Sequence, residues 1–168
     1  MRIFYFFVGL LFLGSCESNS SKQSVKIERA GEPDIYNVKS DDSAMTAAIS
    51  TAKTTLPQFL RVFQQNNTAT TDFAIKVHYD DGEVPEHMWL SNLSYEKGKL
   101  QGVVSNVPEY TKQVREGQLV LVDTSKVSDW KYVQHRRLVG GYTIKVLRNT
   151  LSPKEKAELD NSVTYKIE

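Results

Sequence analysis

The stretch 86–106 constrains the fold more than any other. Two runs of strand-forming residues, His87 to Tyr95 and Leu100 to Asn106, flank Lys97-Gly98. Glycine supplies the positive φ that a two-residue hairpin turn needs. With Lys97 and Gly98 as the loop, Glu96 pairs with Lys99. The register then sets Tyr95 opposite Leu100, Leu93 opposite Gly102, Ser91 opposite Val104 and Trp89 opposite Asn106. Side chains alternate with period two, so these residues share one face, and Met88, Leu90, Asn92, Gln101, Val103 and Ser105 share the other. Both faces hold apolar residues, which predicts a central hairpin covered on both sides. Gly102 reads either as room left for Leu93 or as the mark of a bulge.

Further strands follow from the same alternation. Phe73, Ile75, Val77 and Tyr79 interleave with Ala74, Lys76, His78 and Asp80, a half-buried strand that runs into the turn signal Asp81-Gly82. Strands are also expected over 118–122 and 128–133. In the second, Trp130 and Tyr132 share one face and Asp129 and Lys131 the other. A short edge strand is expected near Ile35 to Val38.

Ahead of the sheet, Met45, Ala48, Ile49, Ala52 and Leu56 form an apolar helical stripe behind the N-cap candidates Asp41, Asp42 and Ser43. Pro57 lacks an N–H and clashes with the preceding turn. It predicts a helix over 43–54, a break near Thr55 and a second helix over 57–65. Gly140-Gly141 suits a strand-to-helix junction better than a phosphate loop, since neither GxGxxG nor GxxxxGK[ST] is present. Residues 142–150 fit strand and helix spacing equally. Ser152-Pro153-Lys154-Glu155 carries a cap, a first-turn proline and a capping-box glutamate, which starts a helix over 153–160. The sum is one α+β domain over 41–168: an N-terminal helical segment packed on a mainly antiparallel sheet of about five strands, with a short C-terminal helix.

The chain has 168 residues, 40% hydrophobic and 24% charged, enough for one domain with its own core. Ile3 to Leu13 is too short to span a bilayer as a helix and suits the core of a signal peptide behind Arg2. Leu13-Gly14-Ser15-Cys16 resembles a bacterial lipobox, which implies removal of 1–15 and lipidation of Cys16. The other reading is a plain secretory leader with an incidental cysteine. Cys16 is the one cysteine, so the domain has no disulfide, cysteine nucleophile or thiolate metal site. Residues 16–40 read as a tether, too polar to offset their ordering entropy. Without Arg2 the chain carries 20 basic and 20 acidic side chains, which gives no electrostatic case for nucleic acid. The expected partners are the membrane, through the lipid on Cys16, and an envelope protein or cell-wall component. Glu17 carries no aspartate-type retention signal, which points to the outer membrane facing the periplasm.

Chemistry-bearing motifs are sparse. Asp80, Asp81, Glu83, Glu86 and His87 cluster at a turn, yet the spacing departs from a calcium loop, and residues 86 and 87 point to opposite faces of a strand. A solvated turn is the simpler reading. His78, His87 and His135 lie in no catalytic motif, and neither GxSxG nor HExxH occurs. No metal or cofactor is expected.

The chain resembles the YegJ-like family, domain of unknown function 2314, over about residues 41–150. The first motif is Asp42-x-x-Met45-x-x-Ala48-Ile49 with Thr55-Leu56-Pro57-x-Phe59-Leu60. The second is Glu86-His87-x-Trp89-Leu90-x-Asn92 with Gly98-Lys99-x-x-Gly102. The third is Val114-x-x-Gly117-Gln118 with Ser128-Asp129-Trp130-x-Tyr132, and Gly140-Gly141-Tyr142-Thr143-Ile144 closes the set. The resemblance implies a small bacterial α+β domain, sometimes behind an export signal, and no established activity. Three functions fit: a non-catalytic envelope binding module, a cell-envelope hydrolase or other enzyme, and an immunity-type inhibitor. For the first, the expected surface is the exposed part of Trp89, Asn92, Asp129, Trp130, Tyr132 and Tyr142, where aromatic area lies beside amide and carboxylate groups. The competing reading places these residues in the core.

Overall fold

The computed structural model describes residues 25–27, 35–37, 43–81 and 84–168. Residues 1–15, expected as a signal peptide, and Cys16 lie outside the described residues. Two short strands, β1 (Val25–Ile27) and β2 (Ile35–Asn37), pair antiparallel with each other. The strand expected near Ile35 therefore exists, but its partner is Val25–Ile27 and not the main sheet. No described helix is long and apolar enough to cross a membrane.

The domain is a six-stranded antiparallel sheet with helices. Its strands are β3 (Thr70–Tyr79), β4 (Glu86–Glu96), β5 (Lys99–Val104), β6 (Leu119–Leu121), β7 (Val127–Gln134) and β8 (Arg137–Gly140), in the order β6-β5-β4-β3-β7-β8. One strand more than expected is present. β8 follows β7 through a turn at His135 and Arg136, both at positive φ (50° and 60°). That turn uses neither glycine nor asparagine, so it carries no sequence signal.

Helix α1 (Ser43–Gln64) packs on β7 and is continuous through Pro57. The expected break near Thr55 is absent. Thr51, Thr54 and Thr55 each donate to the carbonyl four residues back, at 2.6–2.9 Å. The Ala52 carbonyl, in the turn that Pro57 loosens, accepts the Trp130 indole N–H at 3.0 Å. The carbonyl that Pro57 leaves without its ladder donor is that of Lys53, so the Trp130 contact docks the helix on β7 one residue before that gap. Ala52, Leu56 and Phe59 meet Ile75, Val77, Met88, Leu90, Val104, Val127 and Trp130 in the core. Residues 142–150, which fit both periods, are helical as α2 (Tyr142–Thr150), and α3 (Pro153–Asn161) starts in the expected capping box at Ser152 and Glu155.

The hairpin turn is where the sequence puts it: Glu96 pairs Lys99 and Tyr95 pairs Leu100. Ser94 pairs Gln101 in the same register. Beyond that the expected register fails: Ser91 pairs Val103 and Leu90 pairs Val104, in place of the expected Ser91–Val104. The shift is a bulge on β4 at Asn92, whose φ is 46°. One extra residue lets Leu90 and Leu93 both turn to the core, where an even count would send one outward. Gly102 serves this packing too, since a Cβ there would lie 2.7 Å from Leu93 Cδ2. Trp89 consequently leaves the Leu100–Val104 face, and Met88 and Leu90 join it. The second face is not a covered core. It is half-buried and polar.

Candidate binding face of the sheet

The core accounts for several expected site residues. Trp130 is 3% exposed, with its ring stacked 6.0 Å from Tyr132 and tilted against Phe59 at 5.3 Å. Tyr142 meets Trp130 edge-on at 5.5 Å, and its hydroxyl lies 3.2 Å from Thr55 Oγ1, to which it donates because the Thr55 proton is taken by the Thr51 carbonyl. Gly140 lies flat on Trp130, and a Cβ there would collide with both the Trp130 carbonyl and its ring. The surface expected from Trp89, Asn92, Asp129, Trp130, Tyr132 and Tyr142 together does not form. Trp130 and Tyr132 belong to the core, Tyr142 closes it, and Asn92 stands apart on the bulge, exposed.

Asp129 is fully buried and anchors the start of α2. Its Oδ1 accepts the backbone N–H of Trp130 (2.8 Å) and of Tyr142 (3.1 Å). Its Oδ2 accepts the Thr143 N–H (2.8 Å) and the Thr143 hydroxyl (2.6 Å). A carboxylate at a helix N-terminus satisfies otherwise orphaned donors and opposes the helix dipole. Every lone-pair direction is in use, so Asp129 is a structural group. Glu86 is similarly committed. It accepts the N–H groups of Glu109, Tyr110 and Thr111 at 2.9–3.0 Å and holds the loop after β5 against the start of β4. Asp81 accepts the Lys112 N–H at 3.0 Å, and its hydrogen bond with Thr111 chiefly lowers its pKa. The expected solvated turn is thus partly a structural one: Asp80 and Asp81 are exposed, while Glu86 is half-buried and its carboxylate is taken up by backbone N–H groups. Gly82 and Glu83 lie outside the described residues.

The sheet face opposite α1 carries a different group. Lys76 pairs in register with Trp89 on one side and Asp129 on the other. Its Nζ donates to Thr143 Oγ1 at 2.9 Å and stands 4.8 Å from the centre of the Trp89 ring. Thr143 therefore links Lys76 to Asp129. Burial lowers the Lys76 pKa, and the charge of Asp129 opposes that shift. One step along, His78 faces His87, with rings stacked 4.7 Å apart. His87 Nδ1 lies 2.8 Å from Ser128 Oγ, which also contacts the Lys76 carbonyl at 3.3 Å. Desolvation first, then the charges of Lys76 and His78, push the His87 pKa down to about 4. Near the end of the same face Ser105 and Ser91 share a hydrogen bond of 2.7 Å, and Asn106 Oδ1 accepts the Trp89 N–H at 3.0 Å. Lys76, Ser128 and Thr143 are not expected as site residues, and His78 is expected only as a histidine outside any motif. What joins them is the registry of β3, β4 and β7 and the start of α2 beside them, which a single sequence does not display.

A family model described as an uncharacterised protein conserved in bacteria, DUF2314, matches residues 42–166. The chain belongs to the DUF2314 family. It is 36% identical over 118 residues to the uncharacterised protein YegJ of Escherichia coli K12, covering 70% of this chain and 75% of that one. It is 30% identical over 138 residues to a putative ankyrin repeat protein of Neisseria meningitidis serogroup B, covering 77% of this chain. The match spans 54% of that relative's length, about half. No solved structure matches the chain. As a DUF2314 domain, the chain has the α+β architecture that its sequence pattern implies, and the family motifs fall largely on core and cap positions: Phe59, Gly102, Asp129, Trp130 and Gly140.

Proposed function

We propose that this DUF2314 protein is a lipid-anchored binding module of the bacterial envelope, held by Cys16 in the outer membrane facing the periplasm, and that it binds an envelope protein or cell-wall component. The anchor rests on the Leu13-Gly14-Ser15-Cys16 sequence. The binding reading rests on one observation: the half-buried face around Trp89 gathers an aromatic ring, the Lys76 side chain, two imidazoles and the hydroxyls of Ser91 and Ser105. The pair Ser128 and His87 has the spacing of a nucleophile and its base, but Ser128 is only 2% exposed and a substrate has no approach to it. Asp129 accepts three backbone N–H groups and the Thr143 hydroxyl, and Glu86 accepts three backbone N–H groups, so both carboxylates are committed to holding the backbone.

The test is capture from living cells. Full-length protein is crosslinked in the envelope and purified beside a Trp89→Ala variant and a Cys16→Ser variant. The expected result is one dominant partner, lost with Trp89→Ala, and release of Cys16→Ser from the membrane fraction. Equal capture by wild type and Trp89→Ala, or membrane retention of Cys16→Ser, would overturn the corresponding half of the proposal.

A further inference from the structure

His78 and His87 are directly opposed on neighbouring antiparallel strands, and their rings stack at 4.7 Å and 21°. Such a cross-strand pair presents two imidazole edges on the same side of the sheet. The Ser128 hydroxyl has one proton. Both of its contacts are satisfied when it donates to the Lys76 carbonyl and accepts from His87 Nδ1–H. That assignment puts the His87 lone pair on Nε2 and fixes the ring, the arrangement by which an outer partner orients a histidine ligand. Among the described residues, no group of three or more His, Cys, Asp or Glu side chains is placed to hold a metal. The pair therefore offers two nitrogen ligands and leaves the other coordination positions to water or to a group from outside the chain.

We infer that His78 and His87 form a two-imidazole site for a borderline transition-metal cation of the zinc, nickel or copper class. The neighbouring Lys76 charge repels any cation, so affinity must come from imidazole coordination and not from net charge. That excludes hard cations such as calcium and magnesium, which require oxygen ligands. The site lies beside Trp89 on the proposed binding face, so a bound ion would have open positions where a partner docks. The inference needs neither the lipid anchor nor the binding role.

The experiment is calorimetric titration of the untagged, full-length protein in detergent with zinc chloride, in a non-coordinating buffer, with and without a large excess of calcium and magnesium. His78→Gln and His87→Gln remove one ligand each. Gln at position 87 can still donate to Ser128, and melting temperatures report whether each variant is folded. His135→Gln is the control, since His135 lies at the β7–β8 turn. One saturable zinc per chain is expected, unaffected by calcium and magnesium, unchanged in His135→Gln and lost in both folded site variants. Ser128→Ala should weaken it by about ten-fold. Absence of saturable binding in the wild type, or retention of it in both site variants, would overturn the inference.

Discussion

At the scale of single residues, the fold depends on buried polar groups being fully partnered. Asp129 accepts four hydrogen bonds and faces the Lys76 charge across Thr143. Asp129→Ala leaves the first amides of α2 unsatisfied and removes the counter-charge of Lys76. The expected loss is about 3–5 kcal/mol, the range for breaking a buried charged network, read from the urea midpoint. His87 makes a pH prediction. Its folded pKa is about 4 against an ordinary 6.5, so the unfolded chain takes up a proton that the folded chain refuses. Its contribution to stability is whole above pH 6.5 and is lost as pH falls from there toward 4. Urea midpoints measured across that window should fall with pH in the wild type and fall less in His87→Gln. Identical profiles would remove His87 as the cause.

At the scale of elements, two positions carry the geometry of the sheet. Asn92 holds the bulge at positive φ. Asn92→Val should cost about 1–2 kcal/mol, because a β-branched residue is strained in the left-handed region, while Asn92→Gly should be close to neutral. Gly140 combines φ of 73° with contact on Trp130. Gly140→Ala should therefore cost about 3 kcal/mol, from strain and overpacking together. Thermal melts of the three variants check both expectations. These same elements mark the boundary of what a sequence displays. The Lys97-Gly98 turn and the Ser152 capping box were legible because their chemistry is local. The bulge at Asn92 was not, because it exists to bring Leu90 and Leu93 to one core, and that core is assembled from distant strands. Pro57 misled for a related reason: Leu56 and Phe59, on either side of it, are buried against strands far along the chain, and the helix runs on to keep both in the core. β8 was missed because His135 and Arg136 make a turn usually built from glycine and asparagine.

At the scale of the whole molecule, the two sides of the sheet have different roles. One side buries its aromatic residues under α1, and this explains why Trp130 and Tyr132, prominent in the sequence as recognition residues, are structural. The other side keeps Trp89, Lys76, His78 and His87 at a half-exposed surface. The sequence located Trp89 but assigned it to the wrong face, since the bulge that turns it outward carries no local signature beyond Asn92. The central claim is that this second face is where the protein meets its partner. The most direct measurement places a photoactivatable crosslinking residue at Ser105, on that face, and separately at Lys53, on the exposed surface of α1, in otherwise intact full-length protein in cells. A specific crosslinked partner from Ser105 and none from Lys53 is the predicted result. A partner captured from Lys53 and not from Ser105, or none from either, would contradict the claim.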